Sequence, residues 1–217
     1  MTESTSTAIA NIYDLDEFKT KIATSLFPSI RLNGKLFEFP DGRCTLGPIS
    51  VIVLDFHYYN TLYTTAYNPG KIVSPDCWAL GSSPVGMIPG SACPVHPTCD
   101  DCPKNQWRKD GGKTLPKECR NMVRFAVIDP TGDDKTIYRL VGSPIANGLW
   151  QKFVKNLRAK NIHPRSVITD ISLDQKRTVP VLEFSLKGPH NLDTSYIAER
   201  LSTVMSSKML EQPPIEA

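Results

Sequence analysis

The chain has 217 residues and a formal charge of +3, length enough for one domain with an insertion, or one large and one small domain, around a proper core. No apolar run approaches the ~20 residues of a membrane-spanning helix, and so small a net charge names no partner. The charge is local, however. Between residues 104 and 124, Lys104, Arg108, Lys109, Lys113, Lys117, Arg120 and Arg124 meet only Asp110 and Glu118, seven cations against two anions, which gives this window +5 and leaves −2 for the remainder. Such a footprint suits a polyanion.

In chain order, residues 1–12 read as a polar tail, with no secretory leader because residues 1–10 lack an apolar run. Leu15, Phe18, Ile22 and Leu26 lie at helical spacing ahead of Pro28, which predicts a short helix over 14–26. Residues 30–39 predict a hairpin around Asn33-Gly34. Residues 49–59 are the longest strand candidate, apolar on both faces near the start. From 68 to 116 neither a period of 2 nor one of 3.6 is present, and Pro and Gly recur throughout. Strands at 123–128 and 136–141 then pair as a hairpin. A helix over 144–160 follows, capped by Ser143, with Ile145, Leu149, Phe153 and Leu157 on one face. Strands at 167–173 and 179–186 and a helix over 192–205 complete the chain.

Without the 68–120 segment, the order is strand, strand, strand, helix, strand, strand. That is the order of a five-stranded oligonucleotide-binding barrel, whose helix lies between strands three and four. The expected fold is therefore α+β, mainly β: an OB-fold-like core of residues 29–67 and 121–190 with a zinc-binding insertion, 68–120, between strands one and two. An N-terminal tail and short helix (1–28) and a C-terminal helix and tail (191–217) flank it. Another mixed sheet with two helices would share this order.

Five of the six cysteines lie between residues 77 and 119, together with His96. Cys99 and Cys102 have the two-residue spacing with which paired thiolates grip one tetrahedral ion, and Pro103 stiffens the exit of their turn. Structural zinc sites bring the second pair from a distant segment, which favours Cys77 and Cys119. Cys93 and His96 remain rivals. A reducing cytoplasm, the compartment expected for this chain, disfavours disulfides. A metal would also hold a long segment that has no core of its own.

Binding a single strand takes cations for phosphates and flat side chains for unpaired bases. Both interleave here, and the expected contacts are Tyr59, Tyr67, Lys71, Lys104, Trp107, Arg108, Lys109, Lys113, Lys117, Arg120, Arg124, Tyr138 and Arg139. Trp107, beside Arg108 and Lys109, is the foremost stacking candidate, while Trp78 and Phe125 read as packing. Tyr58 and Tyr59 point to opposite faces of a strand. Enzyme chemistry finds little footing. Zinc deaminases need His-x-Glu, but His57, His96, His163 and His190 are followed two places on by Tyr59, Thr98, Arg165 and Leu192. Gly111-Gly112-Lys113-Thr114 lacks the first glycine of a phosphate-cradling loop. A closed four-thiolate site leaves no open position for water.

Leu32-Asn33-Gly34-Lys35-Leu36-Phe37 with Pro40-Asp41-Gly42, Tyr67-Asn68-Pro69-Gly70, Pro75-Asp76-Cys77-Trp78, the run from Cys99-Asp100-Asp101-Cys102-Pro103 to Trp107, Gly112-Lys113, and Cys119-Arg120 with Arg124-Phe125-Ala126-Val127 together resemble a family of tailed-phage proteins. Those are zinc-containing single-stranded DNA-binding proteins used in replication, and the similarity covers residues 30 to 187. It implies four metal cysteines at Cys77, Cys99, Cys102 and Cys119, single-stranded DNA and replication proteins as partners, and the host cytoplasm as location. Residues 93–98 look like an insertion, which leaves Cys93 and His96 unassigned. Glu211 and Glu216 are the only acids of the C-terminal tail, so a partner-recruiting acidic tail is weak here. The competing expectation is a zinc-stapled adaptor whose basic face meets an acidic protein such as a polymerase.

Overall fold

The computed structural model describes residues 27–65 and 74–211. The tail and helix expected before residue 27, Tyr67, Lys71 and the last six residues lie outside them. Among the described residues, the elements in order are β1 (Ser29–Asn33), β2 (Leu36–Glu38), β3 (Cys44–Thr45), β4 (Ile49–Leu62), β5 (Cys77–Gly81), β6 (Arg108–Asp110), β7 (Lys113–Leu115), β8 (Arg120–Ile128), β9 (Tyr138–Gly142), α1 (Pro144–Ala159), β10 (Val167–Leu173), β11 (Leu182–Pro189) and α2 (Thr194–Ser206). The fold is α+β and mostly sheet. Among the described residues, no helix is long and apolar enough to cross a membrane.

Nine strands form one curled sheet in the order β11-β10-β4-β8-β9-β1-β2-β3, with β5 added to the far end of β4, while β6 and β7 form a separate ribbon. The five strands expected of the barrel are therefore neighbours, β11-β10-β4-β8-β9. A closed five-stranded barrel is not formed, because among the described residues no ladder joins β9 to β11; β9 pairs instead with β1, in parallel. The seam is bridged in other ways. Helix α1 packs on both β8 and β11. Gly142, at the end of β9, sits so close to its neighbours that a Cβ there would meet Ala146 and Val123 at 3.0 Å and Leu182 of β11 at 3.3 Å. Lys35 Nζ, from the β1–β2 turn, donates to the Gln175 carbonyl in the β10–β11 turn.

β4 is buried on both faces at its start, as its sequence predicts. Val51 and Val53 face the core under α1, while Ile52 and Leu54 face the core under α2. A bulge between Val53 and Asp55 shifts the β4–β8 register, bending the long strand as an extra residue does. The first core centres on Trp150, fully buried, whose ring lies 5.0–5.6 Å from those of Phe56, Phe125, Phe153 and Phe184.

Local signals explain most element ends. Ser143 Oγ accepts from Ala146 N with Pro144 at the first helical position, and Asp193 caps α2 by accepting from Ser195 N. The β1–β2 turn is centred one residue later than expected, on Gly34-Lys35, with Gly34 at φ 60°. A first loop residue with positive φ is what a type II′ hairpin turn requires. The α1 face also differs. Ala146, Trp150, Phe153 and Leu157 are buried and Ile145 is exposed, because the large indole rather than the β-branched Ile145 fills the space over β8. Regular structure also reaches into the 68–116 segment, where none was expected, as β5, β6 and β7.

Candidate metal centre and nucleic-acid face

Three separate stretches carry the four expected metal cysteines to one place. Cys77 opens β5, opposite Leu62 at the end of β4. Cys99 and Cys102 bracket a tight turn leading into a 3-10 turn at Pro103–Asn105, and Cys99 N donates to the Met87 carbonyl at 2.9 Å. Cys119 precedes β8, its N–H donating to the Lys104 carbonyl at 2.9 Å. All four line a single small cavity of about 20 Å³, with His96, Trp78 and Asn60 also in its wall. That is room for one water-sized body. Cys99 and Cys102 are buried and Cys77 and Cys119 half-buried, while Cys93 and Cys44 are exposed and all six thiols are free.

As the side chains stand, no group of three or more His, Cys, Asp and Glu among the described residues could hold a metal ion. The donor set nevertheless fits a structural zinc in kind. Burial pushes the Cys119 thiol up to about 12, and the nearness of Cys99, Cys102 and Cys77 adds to the rise. Burial, with Cys77 and Cys102, raises Cys99 as well. Clustered buried thiols oppose one another's ionisation, and a divalent cation is the partner that reverses this. His96 reaches the same cavity with its Nδ1 3.0 Å from the Thr98 carbonyl, so it stays a rival ligand, whereas Cys93 does not line it.

An asparagine network that periodicity and motif spacing did not reveal ties this cluster to the sheet. Buried Asn60 of β4 accepts from Asn121 Nδ2 of β8 at 2.8 Å, and the same amide donates to Asn105 Oδ1 at 2.8 Å. Asn105 Nδ2 in turn donates to the Cys99 carbonyl at 2.8 Å. Lys117 Nζ joins through Asn121 at 3.0 Å and Asn105 at 3.4 Å. Trp78 shelters the module, its ring packed so tightly on Gly90 that a Cβ there would come within 2.3 Å. The apolar content of this module is small: Ala79, Met87 and Cys99, with Tyr58 against them.

The expected nucleic-acid contacts divide by burial. Trp107 is 65% exposed at the base of the β6–β7 ribbon. Lys109, Lys113 and Arg120 are exposed. The ribbon closes on Gly111 and Gly112, with φ 53° and 82°, and pairs Asp110 with Lys113. Glycines with positive φ at both loop positions are the signature of a type I′ hairpin, and this Gly-Gly pair was the signal that could have revealed the ribbon. Lys104 and Arg108 share Glu118 at 2.7 and 2.9 Å, which leaves two cations held by one anion. Lys117 is occupied in the asparagine network.

Three expected contacts belong to the core instead. Arg124 is 3% exposed, its guanidinium stacked 4.5 Å over the Tyr59 ring and donating to the Leu210 carbonyl at 3.1 Å. Burial drags that guanidinium down to about 10, still charged at neutral pH. Tyr59 itself is buried. Tyr138 is buried too, with its hydroxyl donating to Asp134. Arg139 is half-buried, Nε donating to Ser29 Oγ at 3.3 Å, away from the ribbon. Tyr59 and Arg124 sit where β4 and β8 are covered on both faces, Tyr59–Leu62 and Val123–Ile128 being buried without alternation, whereas β9 alternates and Tyr138 falls on its inward face.

Comparison of the chain with protein families, curated proteins and solved structures returns no match.

Proposed function

We propose that this chain binds single-stranded DNA with little sequence preference and does no catalysis, serving to protect or organise single strands. One observation carries the reading: an exposed tryptophan, Trp107, leads into a ribbon that carries exposed Lys109 and Lys113 and runs on to exposed Arg120 at the start of β8, three cations that form no ion pair among the described residues. Base stacking on an aromatic ring is worth roughly 1–3 kcal/mol and tolerates any base. The strand order β11-β10-β4-β8-β9 and the helix across the seam support an oligonucleotide-binding barrel left open between its outer strands. In such a barrel, the loop joining the first two strands borders the binding face, and here that loop carries the ribbon. Zinc held by Cys77, Cys99, Cys102 and Cys119 would supply the stiffness that the module's few apolar residues do not. The resemblance to phage single-strand binders points to DNA replication or recombination as the setting.

Binding to poly(dT), titrated across salt concentrations, is the test. Affinity should fall by about 0.7 log units per log unit of salt for each phosphate contact, and Trp107→Ala should weaken binding with that slope nearly unchanged. Absence of single-strand binding by the zinc-loaded protein at low salt would rule the reading out. Exposed Val85, Ile88 and Val95 in the loop between β5 and the Cys99 turn favour, as second reading, an adaptor for a protein partner, and that negative result would leave it standing.

A further inference from the structure

A second basic surface lies away from the thiol cluster. Between residues 144 and 169 the chain has Lys152, Lys155, Arg158, Lys160 and Arg165 and not one acid. Part of it borders a cleft of about 300 Å³ between the bulge of β4 and the C-terminal half of α1, a volume at the lower end of the range for small-molecule sites. The cleft shares no wall residue with the thiol cavity.

Its walls offer three kinds of chemistry. Phe56 and Ile162 give an apolar surface, and behind them Trp150 is buried with its indole N–H lacking a partner among the described residues. Arg158, exposed at the rim, forms no ion pair among the described residues. His163 Nδ1 accepts from Arg165 N at 3.1 Å, which puts the neutral ring's proton on Nε2, a donor with no partner among the described residues. Burial, with Arg165 adding to it, holds His163 below its ordinary range. Asp55 lines the same cleft; its ion pair with Arg165 is long, at 3.6 Å, so its oxygens remain available as acceptors. The capped end of α1 opposes an anion less than a bare helix end would. Lys160, Asn161 and Ile162 N–H groups satisfy the Leu157 and Arg158 carbonyls, with Asn161 at φ 56° as the left-handed residue that closes many helices.

An apolar wall for a flat ring, an acceptor for a ring amine and a cation with a neighbouring N–H donor for a phosphate together match one ligand class. The geometry points to this cleft as a site for a nucleoside carrying a terminal phosphate, the base against Phe56 with its amine toward Asp55 and the phosphate at Arg158 and His163. That ligand has two sources, a free nucleotide or the phosphorylated end of a strand.

Calorimetric titration with dCMP, with deoxycytidine and inorganic phosphate as partial ligands, tests the site independently of strand binding. dCMP should bind saturably, each partial ligand about tenfold more weakly or worse. Arg158→Ala, at an exposed position, should weaken dCMP about tenfold, the scale of one charge-assisted hydrogen bond, without changing deoxycytidine. The Lys109→Ala/Lys113→Ala variant should bind dCMP as the parent does. In that variant, displacement of dCMP by a 5′-phosphorylated oligo(dC) but not by its 5′-hydroxyl counterpart would identify the strand end as ligand; equal, poor displacement by both would identify the free nucleotide. No saturable binding at millimolar dCMP, or binding untouched by Arg158→Ala, overturns the site and leaves the poly(dT) result standing by itself.

Discussion

Arg124 and Lys109 belong to one basic window of the sequence and do opposite things in space. Lys109 is exposed on a two-stranded ribbon, while Arg124 is buried in β8 and donates to the chain just beyond α2. The two should therefore separate cleanly on substitution. Lys109→Ala with Lys113→Ala should leave stability unchanged and flatten the salt dependence of single-strand binding by about 0.7 for each contact removed. Arg124→Ala should do the reverse, lowering stability to urea by about 2–3 kcal/mol, because the Leu210 carbonyl loses a charged donor, with the slope intact. Charge counting along the sequence found the patch but not this division, since a strand's inward positions depend on pairing partners far away in the chain. Tyr138 differs: the alternation of its own strand, Tyr138-Leu140-Gly142, puts it on the inward face.

At the level of elements, long periodic segments were legible and borrowed ones were not. β4, β8, β10 and α1 each carry their own pattern, and α1 also carries its Ser143-Pro144 start. β5 has only five residues and exists because the end of β4 offers it an open edge, information absent from residues 77–81 themselves. Ligand spacing singled out Cys99 and Cys102, and a distant second pair was expected at Cys77 and Cys119, but nothing pointed to the Asn60-Asn121-Asn105 network, because amides at those separations have no spacing rule. That network gives metal removal a specific expected outcome. With a chelator present, hydrogen exchange should quicken over residues 77–119 while the amides of α1 and the central β4–β8 ladder keep their protection, because few buried apolar groups hold the module. Asn121→Ala should bring on part of the same quickening with metal present. Uniform exchange in all these conditions would show that the module stands without the ion.

For the molecule as a whole, two cores lie on opposite faces of one curled sheet, and the larger is organised by Trp150 among four phenylalanines. Trp150→Ala should cost about 3–5 kcal/mol, a fall in Tm on the order of 10 °C for a chain of this length, measurable by calorimetry. The order of elements along the chain was readable from the sequence, yet closure was not: the edge of β9 that a barrel would pair with β11 is taken by β1, a strand from outside the expected barrel. β4 unites the parts. Its first half is the floor of both cores, and its last residues carry Asn60 and the partner of Cys77. A strand held by the ribbon, as proposed, would pull first on β8, into which the ribbon runs at Arg120, and the ladder from Ile52 to Thr61 would pass that load to β4 and so to both cores.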